Sequence, residues 1–154
     1  MLFPSTDWFS ALAKEANANS ERFRLLGTVD ITLVAKIDYA GSSKYFEIVF
    51  AGYRCLGVKE LPRLENAAKG AVVLEGSADT WRAMVENIQR NGKADLTQTL
   101  NTLTLFDTPM RVSAENQLDT DLFYRYQQNL QEFIDAAAKV KTDFASAQAQ
   151  PSVR

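Results

Sequence analysis

The stretch from Val29 to Asp38 constrains the fold of this chain more than any other. Its odd positions are Val29, Ile31, Leu33, Ala35 and Ile37, while its even positions include Asp30, Thr32, Lys36 and Asp38. A side-chain period of two belongs to a β-strand with one face on a core and the other toward water. Ala40-Gly41-Ser42-Ser43 then has turn chemistry, and Tyr45 to Phe50 reads as a second strand, so the pair forms a hairpin. On the second strand Phe46, Ile48 and Phe50 share one face, and Tyr45, Glu47 and Val49 share the other.

Helical signals flank this hairpin. Ser5 to Asp7 can cap a first helix whose inner side carries Trp8, Phe9 and Leu12. Ser20 can cap a second, short turn with Phe23 on its inner side, closed by Gly27. After the hairpin, Arg54 to Val58 reads as a third strand, Pro62 to Lys69 as a loop, and Ala71 to Glu75 as a fourth strand ended by Gly76. Ser77 caps a helix that places Trp81, Met84, Val85 and Ile88 on one side. Residues 93–106 fit either a helix through Leu96, Leu100 and Leu103 or an extended run toward Pro109. Met110 to Ala114 is a short fifth strand. Asp119 or Thr120 caps one long closing helix to about Lys141, with Leu122, Phe123, Tyr126, Leu130, Phe133, Ile134 and Ala137 as its stripe. These elements predict an α+β fold with a mostly antiparallel sheet of about five strands. They form a single domain over residues 1–141, and residues 142–154 are expected to be a loose tail.

Composition excludes several function classes. The chain has no histidine and one cysteine, so Ser–His–Asp and Cys–His catalysis and His/Cys zinc sites are ruled out. Cys55 sits in an apolar context and reads as a buried, inert thiol. Neither a dinucleotide fingerprint nor a phosphate-binding lysine loop occurs. The 17 basic residues are scattered and the net charge is −2, which gives no footprint for nucleic acid. No run approaches ~18 apolar residues, so no transmembrane segment is expected. The first residues lack the pattern of a secretory signal, and a cytoplasmic location is the expectation. Asp30, Glu47 and Glu75 are the carboxylates in or beside strands. The register turns Asp30 and Glu47 toward water, and Glu75, at a strand end, suits a local hydrogen bond. No catalytic residue, metal or cofactor is expected.

What remains is an excess of large apolar side chains on complementary faces. Periodicity does not tell a solid core from a lined cavity. The run Ala71-Val72-Val73-Leu74-Glu75-Gly76-Ser77-Ala78-Asp79-Thr80-Trp81 has a strand ending in glycine, a small and acidic helix cap, and an aromatic residue. With the order of elements over residues 6–140, it resembles the sterol-carrier-protein fold. The resemblance implies a five-stranded sheet covered on one face by N-terminal, middle and C-terminal helices. It also implies an apolar tunnel between the two layers that takes a lipid, fatty acyl chain or sterol, without catalysis. On this chain the tunnel would be lined by Phe46, Ile48, Phe50, Trp81, Met84, Leu103, Phe106, Leu122, Phe123, Tyr126 and Leu130. Two other readings stay open: an interaction domain with a filled core, and an enzyme or accessory domain acting on a hydrophobic substrate. Ligand identity and oligomeric state are open at this level.

Overall fold

The structure is a computed structural model and describes residues 1–145. Behind the short strand β1 (Leu2–Phe3), the Ser5 hydroxyl accepts from the Trp8 N–H at 3.0 Å and starts α1 (Thr6–Ala18). The second helix, α2 (Ser20–Leu26), has Asn19 at its cap position and no side-chain cap, and Gly27 ends it. The hairpin follows as β2 (Ile31–Tyr39) and β3 (Ser42–Ala51), with Ile31 opposite Phe50 and Tyr39 opposite Ser42. β4 (Arg54–Leu61) pairs antiparallel with β3 and runs further than the sequence pattern indicates, because Leu61 reaches a second buried cluster. β5 (Val72–Ser77) lies parallel to β2. Ser77 then caps α3 (Ala78–Asn91), and Gly92 closes it in a left-handed conformation, its N–H on the Ile88 carbonyl.

The ambiguous stretch resolves into a short helix, α4 (Leu100–Thr104), capped by Thr99, and β6 (Met110–Ser113) pairs antiparallel with β5. The main sheet therefore has the order β4-β3-β2-β5-β6 and is antiparallel except at β2–β5. This is the expected α+β class with a mostly antiparallel five-stranded sheet.

The single long closing helix is not what forms. Asn116, rather than Asp119 or Thr120, caps α5 (Gln117–Arg125), and a break at Tyr126 (φ −102°, ψ 16°) separates it from α6 (Gln127–Asp135). A 3-10 turn, Ala136–Lys139, continues the path. The break lets one apolar stripe serve two surfaces: α5 lies against β5 and β6, and α6 lies against α1, α2 and α4. The domain boundary expected at Lys141 also falls short. The Trp8 indole N–H donates to the Thr142 hydroxyl at 2.9 Å, and β7 (Asp143–Phe144) pairs in parallel with β1. Phe144 packs on the core, edge-on to Phe3. The rest of the expected tail, residues 146–154, lies outside the described residues.

The main core fills the space between one sheet face and the helices. Val29, Ile31, Leu33, Ala35 and Ile37 all point into it, as the period of two requires. Gly76 keeps that interface close: a Cβ there would meet Met110 Cγ at 3.0 Å and the Trp81 indole nitrogen at 3.4 Å. The opposite sheet face is not simply solvated. To pass from β4 at one edge to β5 beyond β2, the chain must cross that face, and residues 62–71 do so. Under this crossover Val34, Leu61 and Val73 form a small second cluster, with Tyr45, Leu64, Ala67 and Ala71 packed on it.

Candidate functional site

The sheet–helix interior holds most of the residues expected to line a ligand tunnel. Phe46, Ile48 and Phe50 from β3, Trp81 and Met84 from α3, Leu103 from α4, Phe123 from α5 and Leu130 from α6 belong to one buried cluster. Leu122 and Tyr126 are half-buried against it. Phe106 is apart from the set: it is 82% exposed, on the connection between α4 and β6, and points into water. The run Leu103–Phe106 turns at the end of α4 instead of extending inward, which leaves Leu105 and Phe106 outside.

The buried members meet one another closely. Phe9 and Phe46 have ring centroids 5.0 Å apart, and Phe50 stands edge-on to Phe133 at 5.1 Å. An edge-to-face pair such as Phe50 with Phe133 adds about 0.5–1.5 kcal/mol beyond its burial. The Trp81 indole N–H donates to the Lys36 carbonyl at 3.2 Å, which fixes the start of α3 to β2. The walls differ in how firmly they are held. α3 buries Trp81, Met84, Val85, Asn87 and Ile88, whereas α5 buries Phe123 alone.

The second candidate lies on the opposite face of the sheet. Between the crossover and strands β5 and β6 is a pocket of about 480 Å³. Its apolar wall is Leu64, Ala67, Ala71, Val73 and Ala114, and Glu65, Lys69 and Glu115 stand at its rim. Glu47 corrects the sequence reading here. It is only 5% exposed, and its carboxylate accepts the Ala68 N–H at 2.8 Å, with Lys59 Nζ 3.7 Å away. The crossover covers it, and crossovers leave no mark in a period-of-two pattern. The available signal was the row Glu47–Val34–Val73, which puts apolar side chains on a face assigned to water. None of the residues expected to bind ligand lines this pocket or the two smaller, more polar ones of about 280 and 340 Å³.

Ionisable groups elsewhere serve structure. Asp30 is exposed and accepts the Gly52 N–H at 3.4 Å. Lys36 Nζ reaches Glu75 at 2.8 Å and Asp38 at 2.9 Å. Burial alone would lower the Lys36 pKa, but the hydrogen bonds to Glu75 and Asp38 outweigh it and hold the ammonium above its ordinary range. Glu75 lies inside β5 rather than at its end, and its bond is to the cross-strand neighbour Lys36 on β2 instead of a local partner. Cys55 is buried, and burial pushes its thiol up to about 11. Among the described residues no group of three or more His, Cys, Asp and Glu is placed to hold a metal ion. No helix among them is long and apolar enough to cross a membrane.

Compared with protein-family models the sequence matches none, and no curated protein matches it. Solved structures do. A crystal structure of sterol carrier protein 2 superposes with a TM-score of 0.63 over 89% of this chain and 98% of that one, at 18% identity. A solution structure of a conserved hypothetical protein from Thermus thermophilus, described as a possible sterol carrier protein, gives 0.60 over 90% of each chain at 15% identity. At such identities the likeness is one of fold: this chain has the fold of sterol carrier protein 2.

Proposed function

We propose that the protein binds and carries an apolar ligand (a lipid, a fatty acyl chain or a sterol) between the sheet and its helices, with no bond made or broken. The observation that carries the reading is the pairing of this fold with a continuous aromatic and aliphatic interior closed by a weakly held wall, α5. Ligand entry requires that wall to swing on the Tyr126 break. Exposing the one fully buried side chain of α5, Phe123, costs roughly 3 kcal/mol. A ligand that removes roughly 300 Å² of its own apolar surface from water gains about 7.5 kcal/mol at 25 cal/mol per Å². The balance favours admission through α5 over displacement of α3, which has five buried residues to expose. The proposal places this carrier in the cytoplasm, where a reducing environment suits a lone buried thiol.

A filled core is the second reading, and one observation favours it. Phe46, Ile48, Trp81, Met84, Phe123 and Leu130 are each 0% exposed and pack on one another. In that case the domain would act through its surface. Native mass spectrometry of protein purified from cells, followed by titration with fluorescent fatty acids and a fluorescent sterol, separates the two. The carrier reading expects a co-purifying apolar molecule and micromolar or tighter probe binding that changes in Phe123→Ala. Failure of every chain length and sterol to bind overturns it.

A further inference from the structure

We propose that the pocket beneath the 62–71 crossover is a binding site in its own right, for a small amphiphile with a compact apolar body and one positive charge. It goes beyond carriage in the interior, because the sheet separates the two spaces: Val73 and Ser113 face the pocket, while Val72, Leu74 and Val112 face the core. Its volume of about 480 Å³ lies in the range of roughly 300–1,000 Å³ that small-molecule sites occupy. The roof is fixed before any ligand arrives. Ala68 is bonded to the buried Glu47 carboxylate, and the backbone bonds Asn66 to Arg63, Ala67 to Leu64 and Ala71 to Ala68 hold the segment in shape. A preformed pocket spares the ligand the cost of ordering its walls.

Charge selects the ligand. Glu65 and Glu115 line the rim, and the Asp119 carboxylate lies beside Gly70, 3.9 Å from where a Cβ would stand. Lys69 is the opposing cation on the lining, and none of these four side chains makes an ion pair among the described residues. On the lining itself two carboxylates, Glu65 and Glu115, stand against one ammonium, Lys69, which leaves the lining with a net negative charge. An ammonium head at the rim with an aliphatic or aromatic body on Leu64, Ala67, Ala71 and Val73 matches both features. A carboxylate head meets repulsion there.

The test is a pair of probes with one body and opposite heads, dansylcadaverine and dansyl-6-aminohexanoate, titrated into the full chain by fluorescence. The proposal expects the amine to bind at least ten-fold more tightly. It expects Glu65→Gln/Glu115→Gln, both at exposed positions, to cut that preference at least three-fold, and Ala67→Trp to block the amine by filling the pocket. Saturating fatty acid, which would occupy the interior, should leave amine binding within two-fold. Equal binding of the two probes, a preference unchanged in the double variant, or displacement of the amine by fatty acid overturns the proposal. The comparison of the two probes and the double variant read the pocket whether or not the interior takes a lipid.

Discussion

Replacing Glu47 by alanine tests how the crossover is held to the sheet. In the native chain the carboxylate is 5% exposed and accepts the Ala68 N–H at 2.8 Å. Hydrogen bonds to charged groups contribute about 1.5–3 kcal/mol. Lys59 Nζ, 3.7 Å away on a side chain 67% exposed, adds at most about 0.5 kcal/mol after solvent screening. Loss of the buried Cγ methylene costs about 0.8 kcal/mol more. Against these stands the desolvation of the carboxylate, which the substitution relieves. The net expectation is a loss of about 2 kcal/mol in Glu47→Ala and about half that in Glu47→Gln, which keeps an acceptor without the charge. Urea denaturation measures the global effect, and hydrogen exchange at the Ala68 amide reads the local one. A Glu47→Ala variant within about 0.5 kcal/mol of the native chain, with Ala68 protection unchanged, would refute the reasoning. The crossover would then be held by the apolar contacts of Leu64, Ala67 and Ala71.

Burial raises the Asp135 pKa above the ordinary 3.8, against the opposing bonds from the Ala94 N–H and the Gln131 amide. The folded state therefore binds this proton more tightly, and stability falls as pH rises from 3.8 through the raised value. Asp135→Asn should gain stability relative to the native chain over that window, and denaturation at stepped pH checks it. Cys55, with its thiol pushed up to about 11, should react with iodoacetamide at pH 8 far more slowly than in urea-unfolded protein, as timed by mass spectrometry. Phe133→Ala should cost about 3–5 kcal/mol, while Phe106→Ser should stay within about 0.5 kcal/mol, since one ring is fully buried and the other is in water. Chemical denaturation of the pair measures both.

Much of this was legible in the sequence for a simple physical reason. Where one face of an element meets one core, periodicity reports it, as at Val29–Ile37 and at Trp81, Met84, Val85 and Ile88. Legibility failed where one stretch serves two environments. Val34 and Glu47 occupy nominally outward positions, yet the crossover buries both. The stripe from Leu122 to Ala137 keeps helical spacing across Tyr126, because the backbone bonds from Tyr126 to Leu122 and from Leu130 to Tyr126 survive the bend. Hydrophobicity alone groups Phe106 with the interior, and it says nothing about the direction a connection takes. The pocket depends on how a loop lies over a sheet, a long-range fact with no local pattern.

The pairing of β1 with β7 has a topological consequence. Leu2 is opposite Asp143 and Phe3 is opposite Phe144, so residues 1 and 145 lie at one corner of the molecule. Because the two strands run parallel, a linker from residue 145 to residue 1 has to run back along the pair, and one long enough to do so would close the backbone into a ring. The ring can then be reopened elsewhere, and the exposed stretch Asn91–Lys93 offers a place, at the glycine that ends α3. A chain permuted in this way would begin near Lys93 and end near Asn91. It would carry β7 and β1 inside the chain, as a parallel pair joined by that returning linker.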